Sequence, residues 1–216
     1  MPDAKQTAPV LAADILAWTE GWVRSRGHAS PTPIRGGVHI QVDSDSESAR
    51  YVLTGPHTGR ARELASHTAA SNFWIKWPAT RDEAQPTMPD GWRLVEPQFL
   101  MSARLARAAP TLPYGYSLTM DDEGSALEAK VMTDSGALAA SGRLGLTALA
   151  VPDQIVTQVA HQRRGLGKAI MGALSNAALD RGRSEGILLA SGQGRHLYEA
   201  LGWRVLSPFW AAVHHA

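Results

Sequence analysis

The sequence predicts an α/β fold in which one mixed sheet carries helices on its faces. Three observations predict it: segments alternating apolar and polar residues recur through the second half, a segment near residue 170 carries an apolar stripe at helical spacing, and Gly-, Pro- and Asp-rich turns separate them. At 216 residues the chain has room for one sizeable core, or for one core and an arm.

In chain order, Val10 to Val23 places Leu11, Ile15, Trp18 and Trp22 on one helical face, and Arg26-Gly27 ends the run as helices commonly end. SPTPIRGG (30–37) reads as a linker, VHIQV (38–42) as a strand, RARELASHTA (60–69) as a short helix and FWIKW (73–77) as a strand. AQPTMPDGW (84–92) is a turn-rich break, and PQFLMSARL (97–105) fits strand or helix equally. GYSLTM, LEAKVM and ALAASG then form an antiparallel meander, the last two joined by the turn Thr133-Asp134-Ser135-Gly136. LGLTALAV and DQIVTQV continue as strands, with Pro152 between them at a bulge or edge. Leu166, Ile170, Leu174 and Ala178 make a helical stripe closed by Arg181-Gly182. GILLA is a buried strand, Ser191 an N-cap for a short helix ending at Leu201-Gly202, and WRVL and FWAAVH are the final strands. No internal repeat is visible.

Composition excludes several classes of function. A formal net charge of +1 and the lack of a basic stripe give no push toward nucleic acid, and no apolar run is long enough to span a bilayer. The absence of cysteine removes disulfides, thiolate nucleophiles and Cys-ligated zinc, and fits a reducing, cytoplasmic compartment. The N-terminal stretch is interrupted by Asp14 and Glu20 and does not read as a signal peptide. No metal site is expected, because adjacent histidines such as His214-His215 point to opposite faces of a strand.

The chemistry concentrates in HQRRGLGKAI (161–170), where strand, Gly-x-Gly and helix follow one another. The first turn of a helix has N–H groups without intrahelical acceptors, and the helix dipole adds roughly half a positive charge there. Arg163, Arg164 and Lys168 are therefore misplaced unless an anion binds, and a bound phosphate reverses the sign of their contribution. A nucleotide P-loop is excluded, since Gly167-Lys168 is followed by Ala169 rather than Ser or Thr and the earlier glycine is missing. A dinucleotide fingerprint fails at Ile170, where Gly or Ala is required, and it needs a parallel strand before the turn.

About 30 residues downstream stands LYEALGW (197–203). QRRGLG followed by LYEALGW resembles the GNAT superfamily of N-acetyltransferases over residues 126–206, in an acyl-CoA motif and in a later helix ending in a Leu-Tyr-x-x-x-Gly-aromatic run. The resemblance implies a GNAT acyl-CoA N-acyltransferase fold, in which an acetyl group passes from acetyl-CoA directly to a primary amine of a small molecule or a protein N-terminus. It implies that Gln162, Arg163, Arg164, Gly165, Leu166, Gly167 and Lys168 hold the CoA diphosphate. It further implies that Ile155, Val156 and Thr157 pair with pantetheine and present an oxyanion donor, and that Tyr198 meets the departing thiolate. Ser191 stands where some members carry a CoA-contacting asparagine. A glutamate used by some members as base maps near Gly186, which has no side chain, so Asp153 is the substitute proton acceptor, with His161 and His196 behind it.

Residues 111–216 then form the acetyl-CoA-binding core, and residues 1–110 a divergent half. The core lacks the two helices that the fold places after its first strand, so the N-terminal half must supply that wall, with Trp18, Trp22, Trp74, Trp77 and Trp92 as core or pocket residues. The tail PFWAAVHH offers an apolar strand through which a homodimer would share its sheet. Two rival readings stand beside the enzyme: an inactive CoA-binding regulatory module, and a nucleotide-binding protein.

Overall fold

The structure, a computed structural model, describes residues 8–84, 88–124 and 126–214. Helix α1 (Ala8–Arg26) leads to β1 (Thr32–Ile34), β2 (Gly37–Ser44) and β3 (Glu47–Leu53). Helix α2 (Thr58–Ser66) connects to β4 (Phe73–Pro78), and the short α3 (Arg81–Ala84) precedes β5 (Trp92–Arg104). The second half runs β6 (Tyr116–Asp122), β7 (Ala126–Thr133), β8 (Leu138–Leu146), β9 (Ala150–Thr157), α4 (Leu166–Asp180), β10 (Glu185–Ala190), α5 (Gly192–Ala200) and β11 (Arg204–His214). His215 lies outside the described residues. Among the described residues no helix is long and apolar enough to cross a membrane.

The predicted elements form, with informative differences. The 97–105 segment is strand, as part of β5. The linker at 30–37 contains edge strand β1, where Pro33 leaves no interior ladder donor missing. LGLTALAV is not one strand: β8 ends at Leu146 and β9 begins at Ala150, so Pro152 sits within β9, opposite Leu144, and the bulge falls just after it, at Gln154 with φ of 52°. WRVL and FWAAVH are one strand, β11, whose register breaks on either side of Pro208. A proline inside a central strand requires such breaks, since it cannot donate to the ladder.

All strands join one sheet in the order β1-β2-β3-β4-β11-β5-β10-β9-β8-β7-β6. The order is pseudo-symmetric about the β11–β5 pair. On one side β3 and β4 are parallel and connected through α2; on the other, β9 and β10 are parallel and connected through α4. The flanking β11–β4 and β5–β10 pairs are both antiparallel. The chain therefore repeats one unit, and each unit lends its last strand to the other. The sheet runs without a break across the division expected near residue 110. Because β11 is flanked by β4 and β5, the tail is not a free strand for pairing with a second copy.

Helix α1 covers one face of the sheet. Its Ile15, Trp18, Trp22 and Val23 form a core with residues from β2, β3, β5, β9, β10 and β11. In a flat sheet β3 and β9 would be roughly 24 Å apart, yet Arg50 of β3 and Arg26, the partner of Asp153 on β9, both lie over the one Trp22 ring of α1. The twisted sheet must therefore curl around α1 and make a concave face. Opposite it, α4 buries Leu166, Ile170, Leu174 and Ala178 as the stripe predicts. The approach of α1 is set by glycines: a Cβ on Gly21 would lie 2.2 Å from Val151 Cγ2, and one on Gly145 2.0 Å from the Gly21 carbonyl oxygen.

Gly145→Ala is therefore expected to destabilise the protein by about 1–3 kcal/mol, because backbone and not a mobile side chain blocks the new methyl. Gly192→Ala, whose Cβ meets nothing within 4 Å, is the control and is expected to be near neutral in urea unfolding.

Candidate active site

Strands β9 and β10 pair at one position, Gly186 with Ala150. Beyond it they diverge, and the ends at Thr157 and Ala190 border a cleft. Gly186 permits the junction, since a Cβ there would sit 2.7 Å from the Trp203 ring and 3.4 Å from the Ala150 oxygen. On its other side β9 is held by β8, with Val156 opposite Ser141 and Thr157 opposite Ala140. The Gln158 N–H donates to the Ala139 oxygen at 2.9 Å. By alternation along the strand, the Ile155 and Thr157 N–H groups turn toward the cleft. The related strands β3 and β4 pair at four positions, so the first unit has no corresponding opening.

The chain leaves β9 through a short 3-10 turn (Val159–His161) and enters α4 by way of two left-handed residues, Arg163 with φ of 62° and Gly165 with φ of 77°. Left-handed residues in a turn are the backbone pattern from which anion-binding nests are made. Six consecutive N–H groups, from Arg163 to Lys168, have no acceptor among the described residues. No side chain caps α4. Gln162, Arg163, Arg164 and Lys168 are exposed around this nest, while Leu166 anchors it in the core. Arg164 donates to the Tyr116 hydroxyl at 2.9 Å, and that hydroxyl also meets His161 Nδ1 at 2.8 Å. Gly167 lies against Leu197 and Thr157, which brings α5 and the end of β9 beside the nest.

Tyr198 is buried on α5 beside Trp203, with ring centroids 6.2 Å apart. Its hydroxyl makes no hydrogen bond among the described residues. Burial, with a smaller contribution from the negative charge of Asp153, pushes its pKa up to about 12. Ser191 Oγ accepts from the Gly194 N–H at 3.0 Å and is thus the N-cap of α5. His196 is exposed on the same helix.

No family model matches the chain, and no curated relative does. Solved structures do. A GCN5-related N-acetyltransferase from Kribbella flavida superposes with a TM-score of 0.65 at 15% identity, over 96% of each chain. A putative acetyltransferase of the GNAT family from Novosphingobium aromaticivorans gives 0.59 at 17% identity, over 95% of this chain and 99% of its own. The chain has the GNAT fold. A tandem GNAT protein from the clavulanic acid biosynthesis pathway also matches, at 0.53 and 14% identity, over 95% of this chain and 96% of its own.

In this GNAT fold the concave face around the end of α1 is strongly polar. Asp153 accepts from Arg26 through both oxygens, at 2.6 and 3.1 Å, and from Ser25 at 3.1 Å. Glu47 and Arg50 form a second, bidentate pair with little exposure. Both guanidinium groups lie over the Trp22 ring, that of Arg26 at 4.7 Å and that of Arg50 at 3.8 Å from its centroid. His28 is 5.2 Å from the same ring, and burial and the two arginines lower its pKa.

Lys76 of β4 belongs to this cluster, and the sequence reading passed over it. It is 8% exposed, and its Nζ donates to Gln98 Oε1 at 2.7 Å. Burial, and after it the charge of Arg50, lowers its pKa to about 7. Every residue from Ile75 to Pro78 is buried, so both faces of β4 are covered and the lysine faces inward on one of them. Of the tryptophans, Trp18, Trp22 and Trp77 are in the core and Trp74 and Trp92 are half-buried. Among the described residues no group of side chains suits a metal ion.

The lowered Lys76 pKa makes stability depend on pH with a definite sign. Between pH 7 and the ordinary lysine value near ~10.4, the unfolded chain holds this proton and the folded chain does not, so stability rises with pH. Below pH 7 the lysine is charged in both states and its burial cost is fully present. Urea midpoints are expected to climb from pH 7 to 9 in the natural protein, and Lys76→Met to flatten that slope and be the more stable near pH 6.5. Equal slopes for the two proteins would contradict this.

Proposed function

We propose that the chain is an N-acetyltransferase that moves an acetyl group from acetyl-CoA to a primary amine by direct attack. The observation that carries the reading is the one-pair junction of β9 and β10 with the unsatisfied N–H nest at its mouth. The residues present fit the carrier. Six aligned donors, two left-handed turns and three cations suit a diphosphate, and a narrow cleft lined by free strand donors suits an extended amide-bearing arm. Arg163 to Lys168 would hold the diphosphate, and Ile155, Val156 and Thr157 the arm. Amine attack on a thioester builds negative charge on the carbonyl oxygen, and a fixed strand N–H stabilises that charge without having to reorient.

Tyr198 acts on the departing sulfur as a hydrogen-bond donor. With its pKa near 12, complete proton transfer to a thiolate of ordinary pKa ~8.5 would be uphill by about 5 kcal/mol. Ser191 contributes by fixing α5, since its oxygen already serves as the cap. Asp153, engaged by Arg26 and Ser25, ties the end of α1 to the edge of the cleft, and the acceptor's proton leaves through water. The first half serves as scaffold. It is a related unit, as in a tandem GNAT protein, whose own strand pair has closed.

Calorimetry with acetyl-CoA is expected to give one site per chain. Gly167→Glu, which puts a carboxylate in the nest, is expected to weaken binding by about a hundredfold. Tyr198→Phe should keep the affinity and lower kcat about tenfold across a panel of amines. Binding without turnover on any amine would favour the inactive CoA-binding module. Unchanged binding by Gly167→Glu would reject the assignment of the nest.

A further inference from the structure

Charge does not balance on the concave face. Arg26 is paired with Asp153 and Arg50 with Glu47, each through two hydrogen bonds. Lys76, the third cation, faces the neutral amide oxygen of Gln98, and among the described residues no carboxylate is within ion-pair distance of its Nζ. A desolvated ammonium without a counter-charge is unfavourable in the resting protein, and an aliphatic residue would fill this strand position without that cost. Further groups deepen the imbalance: Arg50 and Arg26 add positive potential around Lys76, and the Trp74 ring 5.5 Å from its Nζ can receive a cation but not an anion. Glu47 and Asp153 are the opposing charges, and both are already committed to the arginines.

The same face borders the cleft. Asp153 stands on β9 where the cleft begins, and its charge reaches Tyr198 on the other side of the sheet. Lys76 is four places away in strand order, and the curl of the sheet brings both under the end of α1. We infer that the amine acceptor also carries a carboxylate, which Lys76 receives on the concave face while the amine reaches the mouth of the β9–β10 cleft. The inference rests on the acyl-transfer reading above and names the class of its acceptor. It gives Lys76 the counter-ion the protein withholds. Gln98 accepts a hydrogen bond from the lysine nitrogen and holds it in position until then. Distance along the curled sheet favours an acceptor longer than a simple α-amino acid, such as a peptide or an ω-amino acid.

The test uses reaction products, so that it needs no turnover. N-acetylated glycine, 4-aminobutyrate, 6-aminohexanoate and a dipeptide are titrated into the CoA-loaded protein at pH 8, each against its carboxamide, which keeps the shape and removes the charge. At least one acid is expected to bind about tenfold or more tightly than its amide. Because the Lys76 pKa must rise when an anion arrives, that binding should take up a proton, read from the buffer dependence of the heat. Lys76→Met should abolish both the preference and the proton uptake. Gln98→Glu, which supplies an internal counter-charge and leaves the lysine in place, should do the same. No acid preference across the series, or a preference that survives Lys76→Met, overturns the inference. Acetyl-CoA binding measured in parallel separates the two readings. If the natural protein fails to bind acetyl-CoA, both fall; if it binds acetyl-CoA but shows no acid preference, the inference alone falls.

Discussion

Two parallel strands that meet at a single residue pair must send the rest of their backbone donors somewhere else. In this chain Gly186 and Ala150 make that pair, and the loop and helix that follow β9 do not turn inward to satisfy the donors. The first turn of a helix has N–H groups without intrahelical acceptors, and here the loop before it adds more, so a row of donors stands open at the surface for an anion. The cations at the head of α4 obey the same logic. They oppose the helix dipole in the resting protein and agree with it when an anion is held.

The rest of the architecture keeps that opening from closing. If β9 and β10 were free to slide together, they would zip as β3 and β4 do in the first unit. Antiparallel β8 and β5 hold them from outside, and the strand exchange at the centre fixes β5 against β11. Helix α1 then braces the opposite face through the Gly21–Gly145 contact and the Arg26–Asp153 pair. Two related units thus come to different ends, one as a closed support and the other as an open cleft.

Much of the second half was legible because its signals are local. The stripe of α4, the turn at Thr133–Gly136, the cap at Ser191 and the glycines of the nest each depend on neighbours within a few residues. What escaped depends on distant partners. The 97–105 segment has no decisive period because β5 has neighbours on both sides and is partly buried on both faces. The pseudo-symmetry has no counterpart in the sequence, since the matching strands share pairing and not residue identity. Asp153 was singled out as a base from its place at the start of a strand, but its partners, Arg26 and Ser25, come from the other end of the chain. Lys76 was hidden for the same reason, as alternation shows that a lysine points inward only when both faces are known to be covered.

The central claim is that the N–H groups of Arg163 to Lys168 are open because a diphosphate occupies them in use. Amide hydrogen exchange, followed residue by residue with and without CoA, addresses this directly. The account predicts strong slowing at Arg163 to Lys168 and at Ile155 and Thr157 when CoA is added, with no change at the start of α2, from Thr58 to Arg60. Unchanged exchange at Arg163 to Lys168, or protection centred on α2, would contradict it.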